Sequence, residues 1–537
     1  MLGPMALMSR KTLCSTLLLF VPLLAVAQER VDLSIVNQIK TEAFDHSKAM
    51  DYLFYLTEVN GPRLAGSPGY QSAGDWCVKT LREIGVTNPR EETWGPFGRG
   101  WTYSYYSGHM LEPAYSPLIG APVAWTPGTD GVATGDAIMA PIQTQADMEK
   151  FKGKLKGKMV LMSPVRDLAP PTAPLFARYS AGELADIALL PIPGAGRGGR
   201  GGPAVPGQPA PTLAQRRQFQ ADLDAFMKTE QVLVVVQSSR TYESGTIAGG
   251  DGSVAARVNQ EAKDNAPTVV LSTEQYNRIA RLLTHDPSIP VKLQFEVRAR
   301  FIDDSPDSFN VIGEIPGGAK KDEVVMLGGH LDSWHFGDGA TDNGVGSAVA
   351  LEAMRILKTL NLKMDRTVRV GLWGAEEQGL YGSKAYVKAH FADPEVMKTT
   401  PEHDKFAGYF NIDNGTGKIR GIYTQGNDMV KPIFEAWLTP FKDLGADTVT
   451  VRNTGGTDHQ SFDAVGLPGF QFIQDPMDYE TRSHHTNMDV YDRVQRGDVL
   501  QMAAIEASFV YNAATRSEKL PRKPLPKPLP AGGRGGE

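Results

Sequence analysis

The sequence predicts an α/β protein whose central sheet is mixed, largely parallel and flanked by helices. Between about 310 and 512, short apolar runs of buried-strand type at 324–328, 367–373, 408–412 and 470–473 alternate with helical stretches. Between the first two runs, Val345, Val349, Ala353, Ile356 and Leu360 recur at helical spacing, and a second helix fits 379–390. From about residue 131 the texture changes. Apolar runs at 137–140, 158–162, 232–236 and 268–271 are separated by polar and Gly-rich turns, which predicts a second, smaller β-rich or mixed domain.

The N-terminus reads as an export signal. Arg10 and Lys11 precede an apolar run at 17–26, and Ala25-Val26-Ala27 has the small-x-small form of a cleavage site. The run is far shorter than the ~20 residues that span a bilayer. Cleavage after Ala27 removes Arg10 and Lys11 and moves the formal charge from −6 to −8. A mildly acidic chain argues against a nucleic-acid partner. Cleavage also removes Cys14 and leaves Cys77 as the one thiol, so no intramolecular disulfide can form. The exported protein, periplasmic or secreted, must rely on its core or on metals.

Residues 45–90 read as helical, with a turn at Gly61-Pro62-Arg63 and Gly66-Ser67-Pro68-Gly69, and 98–127 is aromatic and turn-rich. The chain has 56 glycines and 37 prolines in 537 residues, more than an average chain, and the excess is local. Residues 191–211 hold 7 Gly and 6 Pro and read as a mobile surface insertion. Residues 516–537, with Pro at every second or third position in their first half, read as a disordered tail.

Ligands of open α/β sheets bind beyond the carboxyl ends of the strands. After 324–328 come His330 and Asp332, then Asp338 and Asp342; after 367–373 come Glu376 and Glu377; after 408–412 comes Asp413; after 470–473 come Asp475 and His484-His485. Four strand ends in register, each delivering carboxylates or imidazoles, predict a metal site. Buried carboxylates need cations to neutralise them. His and carboxylate ligands without Cys suit catalytic zinc. Two His with three carboxylates can hold two metals ~3.5–4 Å apart, one carboxylate bridging. Neighbouring side chains on an extended segment point opposite ways, so one of Glu376 and Glu377 can bind metal while the other faces substrate as a general base.

The motifs GGHLDSW (328–334), GATDNG (339–344), WGAEEQG (373–379), NIDNGTG (411–417), GGTDH (455–459) and HHTNMD (484–489), with the earlier GPRLAGSPG, resemble metallopeptidase family twenty-eight, the co-catalytic dizinc aminopeptidases, in particular its glutamate carboxypeptidase-like branch. The resemblance implies a zinc-exopeptidase fold, with a protease-associated-like domain inserted. The domain plan is then a signal peptide (1–27), an N-terminal part of the peptidase domain (28–125), the insertion (126–300), the main peptidase part (301–515) and the tail (516–537).

It also implies roles. His330 and Asp413 hold one Zn2+, Glu377 and His485 hold the other, Asp342 bridges, Glu376 is the general base, and Asp332 orients the His330 imidazole. The implied reaction is hydrolysis of peptide bonds near a free N-terminus, as aminopeptidase or dipeptidase, with peptides as substrates. A homodimer rests on the resemblance alone. The chain departs from the branch at His335, where relatives tend to have Asp, and at His459 after Gly-Thr-Asp.

Several assignments have alternatives. His335 or His484 could bind metal in place of its neighbour. Asp458 and His459 contact substrate or brace a loop. Asp338 reads as turn support, Asp475 as structural, and Tyr479 and Arg482 as loop packing. Gly328, Gly329, Gly339, Gly344, Gly374 and Gly415 are read as letting the backbone turn sharply around the metals. Two other functions fit the fold, a binding protein that has lost catalysis and a single-zinc glutaminyl cyclase. There is no His-Glu-x-x-His helix, Gly-x-Ser-x-Gly elbow or phosphate-binding loop.

Overall fold

A computed structural model describes residues 29–190, 212–240, 244–249, 257–258 and 265–528. The signal segment at 1–27, the insertion at 191–211 and the end of the tail lie outside the described residues.

The main sheet has eight strands: β1 (Thr87–Trp94), β2 (Ser308–Ile315), β3 (Lys320–His330), β4 (Arg366–Trp373), β5 (Phe406–Asn411), β6 (Ile419–Tyr423), β7 (Thr448–Thr450) and β8 (Gly469–Gln474). Their order is β1-β2-β4-β3-β5-β8-β6-β7. The central strands β4, β3, β5 and β8 run parallel, and antiparallel pairs lie towards both edges. The four strands anticipated from apolar runs are the four parallel ones. Their carboxyl ends therefore open onto one edge of the sheet, which brings four distant motifs together.

Side chains alternate across β3. Val325 and Leu327 face a core shared with helices Leu33–Asp45, Pro68–Ile84, Val345–Thr359 and Arg496–Thr515. Met326 faces a second core with Trp373, Tyr386, Tyr409 and Phe462. Helices thus cover both faces, as a parallel sheet requires. Ser67 caps helix Pro68–Ile84 by accepting from the Tyr70 N–H, with proline in the first turn, and Gly85 ends it at φ +85°.

The structure corrects three expectations. The helical reading of 45–90 fails at its end, because Thr87–Trp94 is an edge strand antiparallel to β2. Its half-exposed, mostly polar side chains carry no apolar run to mark it.

Residues 516–528 are extended but docked. Leu520 is buried, Arg522 donates to the His403 carbonyl at 2.8 Å, and Lys523 donates to the Gln425 carbonyl at 2.7 Å. The proline spacing gave the extended form but not the single apolar anchor.

The second sheet has the order Ser116–Pro117, Gly100–Glu112, Lys292–Ile302, Ala133–Met139, Met159–Leu161, Val234–Ser238, Thr268–Leu271, Gly120–Pro122. It is mixed and carries helices, among them Leu213–Thr229 and Thr273–His285. It also takes in Gly100–Glu112, which lies before residue 126 and pairs with Lys292–Ile302 along its length. The aromatic alternation of 98–127 is a strand signal that the turn residues obscured.

Candidate active site

The residues given roles lie at or beyond the carboxyl ends of the four parallel strands. His330 is the last residue of β3, and Asp332 and Asp342 follow in its loop. Glu376 and Glu377 follow β4, Asp413 follows β5, and His484-His485 lie beyond β8. All seven residues given roles from the sequence converge there.

His330 is fully buried. Its Nδ1 donates to the Asp332 carbonyl at 2.9 Å, which turns Nε2 towards Asp342 Oδ1 at 3.2 Å and Asp413 Oδ1 at 3.3 Å. His485 Nε2 lies 3.2 Å from Asp342 Oδ2 and 2.9 Å from Glu377 Oε2. Asp342 therefore presents one oxygen to each imidazole. In a tetrahedral site with ligand bonds near 2.05 Å the ligand atoms stand about 3.3 Å apart. The observed separations are close to that spacing. Glu377 Oε1 is buried without a hydrogen-bond partner, an atom that a cation could satisfy. Among the described residues, the groups able to hold an ion are drawn from this cluster.

Asp332 has a wider role than anticipated. Its carbonyl orients His330, while its carboxylate accepts from the Glu376 N–H at 3.1 Å and the Glu377 N–H at 3.3 Å. One residue so fixes a ligand of each proposed metal and the proposed base. Three non-glycine residues here have positive φ: Ala375 at +55°, Leu380 at +60° and His485 at +60°. Such backbone costs ~1 kcal/mol or more each and persists where the surroundings enforce it.

The electrostatics follow from burying carboxylates against imidazoles. Burial alone would lower the His330 pKa, but Asp413 and Glu376 outweigh it and raise it well above the ordinary value. Burial likewise lowers His485, and Glu377 and Asp342 reverse the sign. Burial and Asp342 push Glu377 up to about 6 against the pull of His485. Burial lifts Glu376 well above the carboxylate range, opposed by His330 and supported by Asp413 and Asp458.

A model of peptidase family M28 matches residues 310–510, a stretch that contains all seven of these residues. The chain is 31% identical to carboxypeptidase Q of Mus musculus over 502 residues, which is 93% of this chain and 91% of that protein. The chain belongs to peptidase family M28. It is also 31% identical over 219 residues to aminopeptidase YwaD of Bacillus subtilis, covering 40% of this chain and 46% of that one.

Solved structures share the fold. The M28 peptidase precursor of Shewanella amazonensis superposes with TM-score 0.62 at 23% identity, covering 92% of this chain and 98% of that chain. A zinc aminopeptidase of Bacillus subtilis superposes with TM-score 0.54 at 19% identity, covering 88% and 96%.

Within the M28 site the alternatives separate by geometry. His335 points away from the cluster: its Nε2 lies 2.8 Å from the Pro122 carbonyl, its ring packs against Trp101 and Phe336, and burial drives its pKa down to about 4. His484 Nε2 stands 3.7 Å from Asp342 Oδ2, farther than His485. His459 meets Gln425 Nε2 at 2.6 Å and braces a loop. Asp458 is buried near His330 and Asp413, and burial lifts it to about 7. Asp338 supports the turn through its backbone. Asp475 ties Arg178 and Arg420, at 3.0 and 2.8 Å. Tyr479, read as loop packing, instead lines the cavity beside His484, while Arg482 borders a separate, smaller one.

The cavity has a volume of about 840 Å3 and is walled by Trp94, Tyr381, Asn414, Gly455 and Tyr479.

Two supports escaped the sequence reading. Arg63 is fully buried and donates to the carbonyls of Leu331, Leu56, Asp338 and Gly339 at 2.7–2.9 Å, gripping the loop between His330 and Asp342. Asp489 accepts from the Thr341 N–H at 2.5 Å, and its carbonyl accepts from Asp338 and Gly339. Both lie inside quoted motifs, GPRLAGSPG and HHTNMD, so a signal was present without a role.

Proposed function

We propose that this M28 peptidase is an exported two-zinc exopeptidase that cleaves peptides next to a free N-terminus, as an aminopeptidase or a dipeptidase. The observation that carries the reading is Asp342, with one carboxylate oxygen on His330 and the other on His485. Its relatives bear the names carboxypeptidase Q and aminopeptidase, and one structural neighbour is a zinc aminopeptidase. No helix among the described residues is long and apolar enough to cross a membrane. The second sheet is read as an inserted, protease-associated-like unit between the two stretches that build the peptidase sheet.

His330 and Asp413 would hold one zinc and Glu377 and His485 the other, with Asp342 between. Zinc in these positions supplies Lewis acidity for the scissile carbonyl and for the attacking water. Glu376 takes the proton of that water and returns it to the leaving amine. Asp332 keeps that carboxylate in place through the Glu376 N–H. Trp94, Tyr381 and Tyr479 in the cavity wall offer apolar surface to substrate side chains. The carboxylate-rich floor attracts a protonated α-amine and offers nothing to an acylated one.

The test is a panel of dipeptides and aminoacyl-anilides with their N-acetylated counterparts on zinc-replete protein. Chelator-sensitive release of single residues from free amines only is the expected result. Cyclisation of N-terminal Gln with one zinc bound, or no hydrolysis with the ligands intact, would reject the proposal.

A further inference from the structure

The loop at 475–489 carries Tyr479, His484 and His485, and the second sheet's unit grips it from two sides. On one side, the Ala177 N–H donates to the Met477 carbonyl at 2.9 Å, the Tyr179 N–H donates to Asp475 Oδ1 at 3.0 Å, and Arg178 reaches Asp475 and Asp498 at 3.0 and 2.8 Å. On the other, the Ile247 N–H donates to Asn487 Oδ1 at 2.7 Å and the Asn487 N–H donates back to the Ile247 carbonyl at 3.0 Å. Ala248 and Thr486 form an antiparallel bridge, and both are buried. Gly249 lies against the Phe336 ring so closely that an added Cβ would stand 2.0 Å from it. The segment 246–249 therefore closes over two site loops at once.

The two imidazoles are held differently. His330 ends a central strand and is oriented through its own Nδ1. His485 lies in a loop at φ +60°, a conformation its surroundings must impose. Its neighbours supply the restraint: Ser483 Oγ accepts from Thr341 Oγ1 at 2.9 Å on one side, and Thr486-Asn487 pairs with Ala248-Ile247 on the other.

We propose that the inserted unit is part of the second metal site: the pairing of Ile247 with Asn487 positions His485, so the insertion sets the affinity of the Glu377–His485 zinc and leaves the His330–Asp413 zinc untouched. Ile247 and Asn487 are positioning residues that touch neither zinc nor substrate. Outer partners of metal ligands typically shift metal affinity by about ten- to a hundredfold.

The inference rests on the two-zinc reading, and the two fail separately. The unaltered chain is titrated with zinc in a chelator-buffered series, and bound zinc is counted by mass spectrometry. Fewer than two sites there would reject the two-zinc reading. Ile247→Pro then removes the donor from the insertion side, and Asn487→Ala removes the acceptor from the loop side. Both should keep one zinc at unaltered affinity and weaken the other by tenfold or more, with hydrolysis restored by added zinc. Asn487→Asp, which keeps an acceptor, should restore the second site. Two tight zincs in both variants, or parallel weakening of both sites, would overturn the proposal. If Ile247→Pro unfolds, the Asn487 pair decides alone.

Discussion

At the scale of single residues, Asp342, Glu376 and Asp332 divide three tasks. In the proposed mechanism Asp342 would neutralise two cations and Glu376 would move the proton, while Asp332 holds His330 and the backbone of both glutamates in register. Glu376→Gln is expected to lower kcat by about 10²–10⁴-fold, the usual worth of a positioned base, while zinc content stays unchanged. Steady-state kinetics beside metal analysis checks this. Asp332→Ala is expected to weaken zinc binding by about 10–100-fold, read by chelator competition.

The pH dependence has a definite sign. Zinc takes neutral imidazole, and in the metal-free site His330 and His485 both hold their protons well above the ordinary pKa. Zinc binding therefore expels protons, and affinity falls as pH falls. Calorimetry in buffers of different ionisation enthalpy should show proton release at neutral pH. A binding enthalpy independent of buffer would count against this.

At the scale of elements, the strands of the main sheet decide what the loops can do. β3 and β4 approach so closely that a Cβ on Gly328 would lie 1.9 Å from the Gly371 carbonyl oxygen. Gly328→Ala is expected to destabilise by roughly 1–3 kcal/mol, the cost of overpacking, measured by urea unfolding of the metal-free chain. The glycines were read in the sequence as turn-makers around the metals. Only Gly339 and Gly415 among them have positive φ, at +68° and +82°. Gly328 and Gly329 are needed for close approach instead.

Arg63→Met is expected to cost at least ~3 kcal/mol, because three buried carbonyls and one part-buried carbonyl lose their donor. The four parallel strands and helix Val345–Thr359 were legible because their apolar periodicity is strong. The strand Thr87–Trp94 and the roles of Arg63 and Asp489 were not, since an edge strand shows no apolar run and a buried guanidinium looks like any surface Arg. His335 was a fair candidate by adjacency. Only the register of the loop shows that it turns towards Pro122.

At the scale of the whole molecule, the site stands at the carboxyl ends of the central strands while the tail docks at the other end of β5, near His403 and Gln425. Truncation after Glu518 removes Leu520, Arg522 and Lys523 from the face of β5 and its neighbours. Loss of the buried Leu520 alone should cost about 2 kcal/mol, seen as a lower Tm. On the proposed reading zinc binds only the folded chain, so Tm should rise with free zinc and fall with chelator.

The most direct test of the central claim is the number of zinc ions per chain counted together with the product released from a free and an N-acetylated peptide. Two zincs and stepwise release of single residues from the free amine alone are expected. A single zinc, or equal cleavage of both peptides, would contradict it.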